Sequence, residues 1–269
     1  MTVNVLILSG YGLNCDMETA YAFAQAGAAP QRVHINLLVG GDVDLKAFQI
    51  LVFGGGFSWG DDHGAGVVQA VKMRTHLGPQ MISFIEKGNL VLGICNGFQT
   101  LVNLGLLPGM DGDYISRKVA LIHNDCGNFR DDWIRLKFNP DSPCVFTRGM
   151  QGMEVPIRHG EGKFYADAET LRHLDDKGQI VARYALPTGA PANGQFPFNP
   201  NGAVSDIAGI CDTTGRVFGL MPHPEAFNHF TNHPDWLRRR EEIKRRGKNG
   251  ELCSAEGLRL LKNGVDYFK

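Results

Sequence analysis

Val3 to Leu8 is an apolar run rich in Val, Ile and Leu, stopped by Ser9-Gly10. A run of this kind suits a strand buried on both faces, and so a central strand of a sheet. Asp16 to Ala26 changes to helical spacing, with Ala20, Phe23 and Ala24 on one face, acids in the first turn and Gly27 ready as a left-handed cap. Arg32 to Leu38, Ile50 to Phe53 and Leu90 to Ile94 read as further strands, with helices over Val67 to Leu77 and Met81 to Lys87. This alternation predicts an α/β fold whose largely parallel, doubly wound central sheet is flanked by helices.

Beyond Pro108 the segments shorten, and strands are expected at Trp133 to Phe138, Met153 to Ile157 and Ile180 to Tyr184. Ile207 to Cys211 and Arg216 to Leu220 form a further pair, with a hairpin turn at Asp212 to Gly215. An additional antiparallel portion in the C-terminal half follows. Leu186 to Asn201 is rich in Pro, Gly and Asn and reads as a surface loop. Trp236 to Lys248 is a charge run on an expected helix, read as a solvated face, with contact to a partner protein as the alternative. No internal repeat interrupts residues 1–269, which read as a single domain.

Charge narrows the partners. Lys plus Arg number 27 against 28 Asp plus Glu, so a net charge of -1 gives no electrostatic basis for binding nucleic acid or an anionic membrane. The N-terminus lacks a basic lead and a full apolar h-region, and no run approaches the ~20 apolar residues of a membrane span. A soluble, cytoplasmic protein is expected. Cys15, Cys95, Cys126, Cys144, Cys211 and Cys253 lie far apart without a Cys-x-x-Cys pair, which predicts free thiols and no metal site.

Candidate chemistry centres on Gly93-Ile94-Cys95-Asn96-Gly97, where the strand ending at Ile94 meets helical spacing at Phe98, Leu101 and Val102. Cys95 would then lie at the carboxyl edge of the sheet, where open α/β sheets bind ligands, on a turn of the nucleophile-elbow kind. A thiol titrates near ~8.5, and a helix N-terminus or an imidazolium favours the attacking thiolate. A buried, inert cysteine is the alternative. In "FGLMPHPEAF" the residues His223 and Glu225 follow an apolar run, and Pro222 and Pro224 hold Met221 and His223 extended. Glu225 could then orient His223 toward Cys95, the triad logic with sulfur as nucleophile. "FGGGFSWGD" follows the strand at Ile50 to Phe53, and the backbone N–H groups of Gly56 and Asn96 are the expected oxyanion hole. That loop lacks the lysine of a phosphate loop.

With these residues in view, the chain resembles the class I glutamine amidotransferases, and within them the glutaminase subunits of phosphoribosylformylglycinamidine synthase. The resemblance rests on "GLNCDMETA" at Gly12, "GGFSWGD" at Gly55, "GICNGFQTLVNLGLLPG" at Gly93, "PIRHGEGKFY" at Pro156, "NPNGAVSDIAGI" at Asn199 and "MPHPE" at Met221. It implies Cys95 as nucleophile, His223 as base and Glu225 as orienting acid. Gly55, Gly56 and Gln99 would help hold L-glutamine, with His159 and Glu161 near the glutamine pocket or the synthase interface. It further implies a synthase subunit as partner and a small adaptor subunit beside it. No cofactor is expected in this chain, because ATP and magnesium would be used by the synthase subunit. "GDDHGAGV" after Trp59 departs from the family wording, and Asn228 to Glu251 reads as an added helical segment. Two other readings compete: a stand-alone elbow-cysteine hydrolase, and a non-catalytic binding subunit.

Overall fold

The computed structural model describes residues 2–247 and 255–269. Its strands are β1 (Asn4–Ser9), β2 (Ala29–His34), β3 (Ile50–Phe53), β4 (Leu90–Ile94), β5 (Ala120–His123), β6 (Arg130–Phe138), β7 (Gly152–His159), β8 (Glu161–Tyr165), β9 (Ile180–Ala185), β10 (Ile207–Cys211) and β11 (Val217–Leu220). Its helices are α1 (Asp16–Gln25), α2 (Ile35–Gly40), α3 (Val67–Glu86), α4 (Asn96–Leu104), α5 (Ala168–Asp176), α6 (Trp236–Arg245) and α7 (Glu256–Asp266).

Nine strands form one sheet in the order β2-β1-β3-β4-β11-β10-β9-β6-β7, and β5 pairs with β8 in a small second sheet. The first five are mutually parallel, and β10, β9, β6 and β7 continue the sheet in antiparallel fashion. The expected mixture is therefore present, with the antiparallel portion joined edge to edge to the parallel half. The apolar runs explain the centre: every residue of β3, β4, β10 and β11 is buried, as strands covered on both faces require.

Helix α4 packs Phe98, Leu101 and Val102 into the core, each at most 1 % exposed. Burial of side chains of this size contributes roughly 1.5–3 kcal/mol each. Helix α1 buries Thr19, Ala22 and Phe23, whereas the expected face included Ala24, which is exposed. The helical period was right and its phase was shifted by a residue or two. Gly27 does take a left-handed conformation, at φ 86°.

Two boundaries differ from expectation. The expected strand Arg32 to Leu38 stops at His34, whose side chain accepts from the Asn36 N–H and starts α2, with Ile35 and Leu38 buried and Leu37 exposed. The two helices expected at Val67 to Leu77 and Met81 to Lys87 are one, α3, with Pro79 inside it. Pro79 forfeits one backbone hydrogen bond, while Met73, Leu77, Met81, Phe84 and Ile85 bury the helix on either side of it.

In the segment Asn228 to Glu251, a 3-10 turn at Phe230–Asn232 leads into α6, which has no buried residue, and residues 248–251 lie outside the described part. No described helix is long and apolar enough to cross a membrane. Cys15, Cys95, Cys126, Cys144 and Cys211 are free thiols, and Cys253 lies outside the described residues.

Candidate active site

Three adjacent parallel strands, β3, β4 and β11, end together at one edge of the sheet, with Phe53 in register with Gly93 and Leu220 with Ile94. The loop after β3 carries Gly54-Gly55-Gly56, the turn after β4 carries Cys95, and the segment after β11 carries His223 and Glu225. The sequence separates these groups widely, and strand order makes them neighbours at the carboxyl edge.

Cys95 has φ 51° and ψ -107°, a strained conformation for a residue with a Cβ. Crowding below it explains the flanking glycines. A Cβ on Gly97 would fall onto the Phe53 carbonyl, and one on Gly93 would lie 2.6 Å from Leu101 Cδ1. Cys95 is 5 % exposed, and its thiol donates to the Arg158 carbonyl, with the sulfur 3.6 Å from the oxygen. The same Cys95 carbonyl begins α4 by accepting from the Gln99 N–H at 3.1 Å.

His223 and Glu225 are almost fully buried, and His223 Nδ1 lies 2.6 Å from Glu225 Oε1. The His223 N–H donates to the Pro156 carbonyl at 2.8 Å, which pins this segment to β7. Burial opposes a charge on the imidazole, but the Glu225 carboxylate, the Cys95 sulfur and a hydrogen bond with Cys15 outweigh it and hold the His223 pKa well above 6.5. His223 Nε2 is buried with no hydrogen-bond partner.

The remaining expected residues gather around the same thiol. Gly56, Cys95, Gln99, His159 and Glu161 line one cavity of about 440 Å³, together with Phe57, Asp61, Asn124, Phe129 and Arg158. Gly56 sits at φ 143°, where a Cβ would meet the Gly12 carbonyl and the Asn14 nitrogen. Among the described residues, neither the Gly56 N–H nor the Asn96 N–H has a hydrogen-bond partner. Gly55 faces the base: a Cβ there would lie 2.6 Å from His223 Cε1 and 3.1 Å from Cys15 Sγ. Gln99 accepts from Asn96 Nδ2 at 3.2 Å and donates to the Glu161 carbonyl.

His159 is buried with Nδ1 3.2 Å from Asn124 Oδ1, and burial, then the His223 charge, depress its pKa to about 3. It is therefore a neutral imidazole at physiological pH, with Nε2 unpartnered. Glu161 lies 3.4 Å from His123 Nδ1 and accepts from the Ala65 N–H at 3.3 Å.

Three residues escaped the sequence reading. Asp61 accepts from Asn96 Nδ2 at 3.0 Å, and burial, then repulsion from Glu161, raise its pKa to about 6. Arg158 lies at the end of β7, 3.3 Å from Glu18, and lines the cavity. Cys15 is buried beside His223, with a pKa pushed up to about 11, chiefly by burial, so it remains a thiol at neutral pH. Asp61 and Cys15 lay within the quoted "GGFSWGD" and "GLNCDMETA" segments, which could have flagged them. Arg158 lies likewise within "PIRHGEGKFY", beside His159.

Fold and site together define a cysteine-nucleophile α/β domain of the amide-cleaving kind. The chain matches the CobB/CobQ-like glutamine amidotransferase domain over residues 2–268, and it belongs to that family. It is 47% identical over 264 residues to the phosphoribosylformylglycinamidine synthase subunit PurQ of Methanococcus maripaludis strain S2, covering 98% of this chain and 97% of that protein. The PurQ subunit of Dehalococcoides mccartyi is 43% identical over 267 residues, covering 99% of this chain and 98% of the relative. Among solved structures, the PurLQS structure from Thermotoga maritima superposes with a TM-score of 0.72 at 26% identity and covers both chains fully.

Proposed function

We propose that this chain is the glutaminase subunit of phosphoribosylformylglycinamidine synthase, hydrolysing L-glutamine to glutamate and ammonia for de novo purine synthesis. The observation that carries this reading is Cys95 on its strained turn beside the buried His223–Glu225 pair, in a chain whose PurQ relatives match it from end to end. The full-length match does not favour a stand-alone hydrolase or a non-catalytic subunit.

In the proposed reaction His223 takes the Cys95 proton, and the thiolate attacks the side-chain amide carbon of glutamine. The oxyanion that forms is received by the Gly56 and Asn96 N–H groups. The elevated proton affinity of His223 suits it to take the thiol proton, and the imidazolium then passes that proton to the leaving nitrogen so that ammonia departs and a thioester remains. Water then attacks the thioester, with His223 as base, and releases glutamate. Glu225 orients the ring throughout by accepting from Nδ1. Gln99, Gly55, His159 and Glu161 shape the glutamine pocket, with His159, at a pKa of about 3, too weak a base to rival His223 for the thiol proton.

Ammonia passes to the synthase subunit, which converts formylglycinamide ribonucleotide to its amidine using ATP and magnesium. A small adaptor subunit completes the proposed complex. The test is glutamate release by the protein alone and with the synthase subunit, formylglycinamide ribonucleotide and ATP-magnesium. Cys95→Ala should abolish release and leave ammonia-driven synthesis by the complex intact. Silence of the wild type in both settings, with Cys95 still alkylating, would reassign it as a hydrolase of another substrate.

A further inference from the structure

Beside the cavity that exposes Cys95 lies a second one of about 430 Å³, lined by Asn14, Cys15, Met17, Glu18, Gly56, Phe57, Phe129, Arg158 and His223. Its lining residues Cys15, Glu18 and His223, together with Glu225, each offer a ligand atom, and these atoms lie within 4.8 Å of one another. Cys15, His223 and Glu225 are buried, at 6 %, 1 % and 0 % exposure. Glu225 Oε2 is buried with no partner, whereas His223 Nε2 is the nitrogen assigned to the Cys95 proton. A buried polar atom left unpaired is costly, and a ligand that pairs with it regains that cost.

We propose that Cys15, Glu18, His223 and Glu225 form an inhibitory zinc site that withholds the catalytic imidazole from Cys95. One sulfur, one nitrogen and two carboxylate oxygens are a donor set suited to tetrahedral Zn2+, whose ligand preferences are borderline soft. The expectation of no metal site came from cysteine spacing, and here the fold assembles the donors from α1 and from the segment after β11.

Binding moves no electrons. A sulfur–zinc bond replaces the Cys15 S–H bond and the proton goes to water, while His223 binds through Nδ1, which gives up its proton and its 2.6 Å hydrogen bond to Glu225 Oε1 for the metal. Three anionic ligands and Zn2+ leave one negative charge, and the Arg158 guanidinium, 3.3 Å from Glu18, partly offsets it. With zinc on Nδ1 the remaining ring proton sits on Nε2, so His223 cannot take the thiol proton of Cys95, and hydrolysis stops although Cys95 is chemically untouched.

The test uses Co2+ as a coloured substitute and Zn2+ as the inhibitor. Cys95→Ala protein should bind a single Co2+ with a thiolate-to-cobalt absorption band. Cys15→Ala should lose that band, and Glu18→Gln should bind about tenfold more weakly or worse. Wild-type glutamine hydrolysis should fall by about tenfold or more with equimolar Zn2+ and recover with a chelator, whereas Cys15→Ser, checked for folding by its melting curve, should lose less than about twofold of its own metal-free rate. A band that survives Cys15→Ala but vanishes in Cys95→Ala would place the metal on the nucleophile and overturn the site, as would no binding at equimolar metal. The inhibition arm rests on the glutaminase reading. The absorbance arm involves no turnover, so failure of one reading is distinguishable from failure of the other.

Discussion

Replacing Glu225 by Gln keeps its size and removes its charge where the charge matters most. Glu225 is fully buried and receives the His223 Nδ1 proton at 2.6 Å, so the carboxylate fixes both the ring orientation and the tautomer that leaves Nε2 free for the Cys95 proton. Loss of a hydrogen bond to a charged group costs roughly 1.5–3 kcal/mol. If that interaction is made in full only when the imidazolium forms, it amounts to about one to two decades in rate. The amide adds a second penalty, because its NH2 can donate to Nδ1 and drive the proton onto Nε2, the wrong tautomer for a base. Together these predict a fall in kcat of about 10²–10⁴ with little change in KM, in line with the scale for orienting acids in other triads. Glu225→Ala, which imposes no tautomer, should be milder, and His223→Ala should stop turnover. The His223 pKa should also drop in Glu225→Gln, since burial then acts without its main opponent. Glutamate release by the assembled complex measures the first effect, and imidazole NMR titration the second. A variant that melts like wild type yet keeps more than about a tenth of its activity would refute the orienting role.

Gly97→Ala should be destabilising by about 3 kcal/mol, at the upper end of overpacking costs, because the added methyl meets the Phe53 carbonyl of rigid β3; denaturant unfolding measures it, and a loss under about 1 kcal/mol would refute the contact. Asp61 has its pKa raised from 3.8 to about 6, so the folded state holds more protons than the unfolded chain between those values, and stability falls as pH rises through that window. Asp61→Asn should therefore flatten the pH 4–6 stability profile and raise stability at pH 7 by up to about 2 kcal/mol, after allowing for partial solvent screening. An unchanged profile would show that the carboxyl titrates elsewhere.

The parts of the site legible in the sequence are those borne by strands buried on both faces. β3, β4 and β10 appear as apolar runs with the bounds the structure gives them, and β11 differs by one residue. The elbow and the His-Pro-Glu segment follow such runs, so their place at the sheet edge could be inferred. What the sequence concealed lies on strands that are only partly buried. β5 is exposed or half-exposed throughout and β8 buries only Gly162 and Phe164, with a register shift between Ile122 and His123, so too few apolar positions mark the pair. α2 was hidden for a related reason: Val33, Ile35, Leu37 and Leu38 suit either period, and only the His34 side chain bonding to the Asn36 N–H settles it.

The antiparallel extension is what turns an exposed elbow into an enclosed site. Parallel strands alone would leave Cys95 at an open edge, flanked by the loops after β3 and β11. β7 reaches across instead, its Pro156 carbonyl fixing the His223 backbone and its Arg158 carbonyl facing the Cys95 sulfur. The chain then turns at Gly160 into β8, which brings Glu161 against Gln99 and leaves His159 buried on the cavity wall. The hydrogen bonds of this wall run through backbone carbonyls and polar side chains, which periodicity does not reveal. The "HGEG" run, Gly160 and Gly162 included, is thus explained as a strand-to-strand turn lining the cavity that also holds Cys95. A Cβ at Gly162 would strike the His159 ring, so the turn can bring β8 this close only with glycine there.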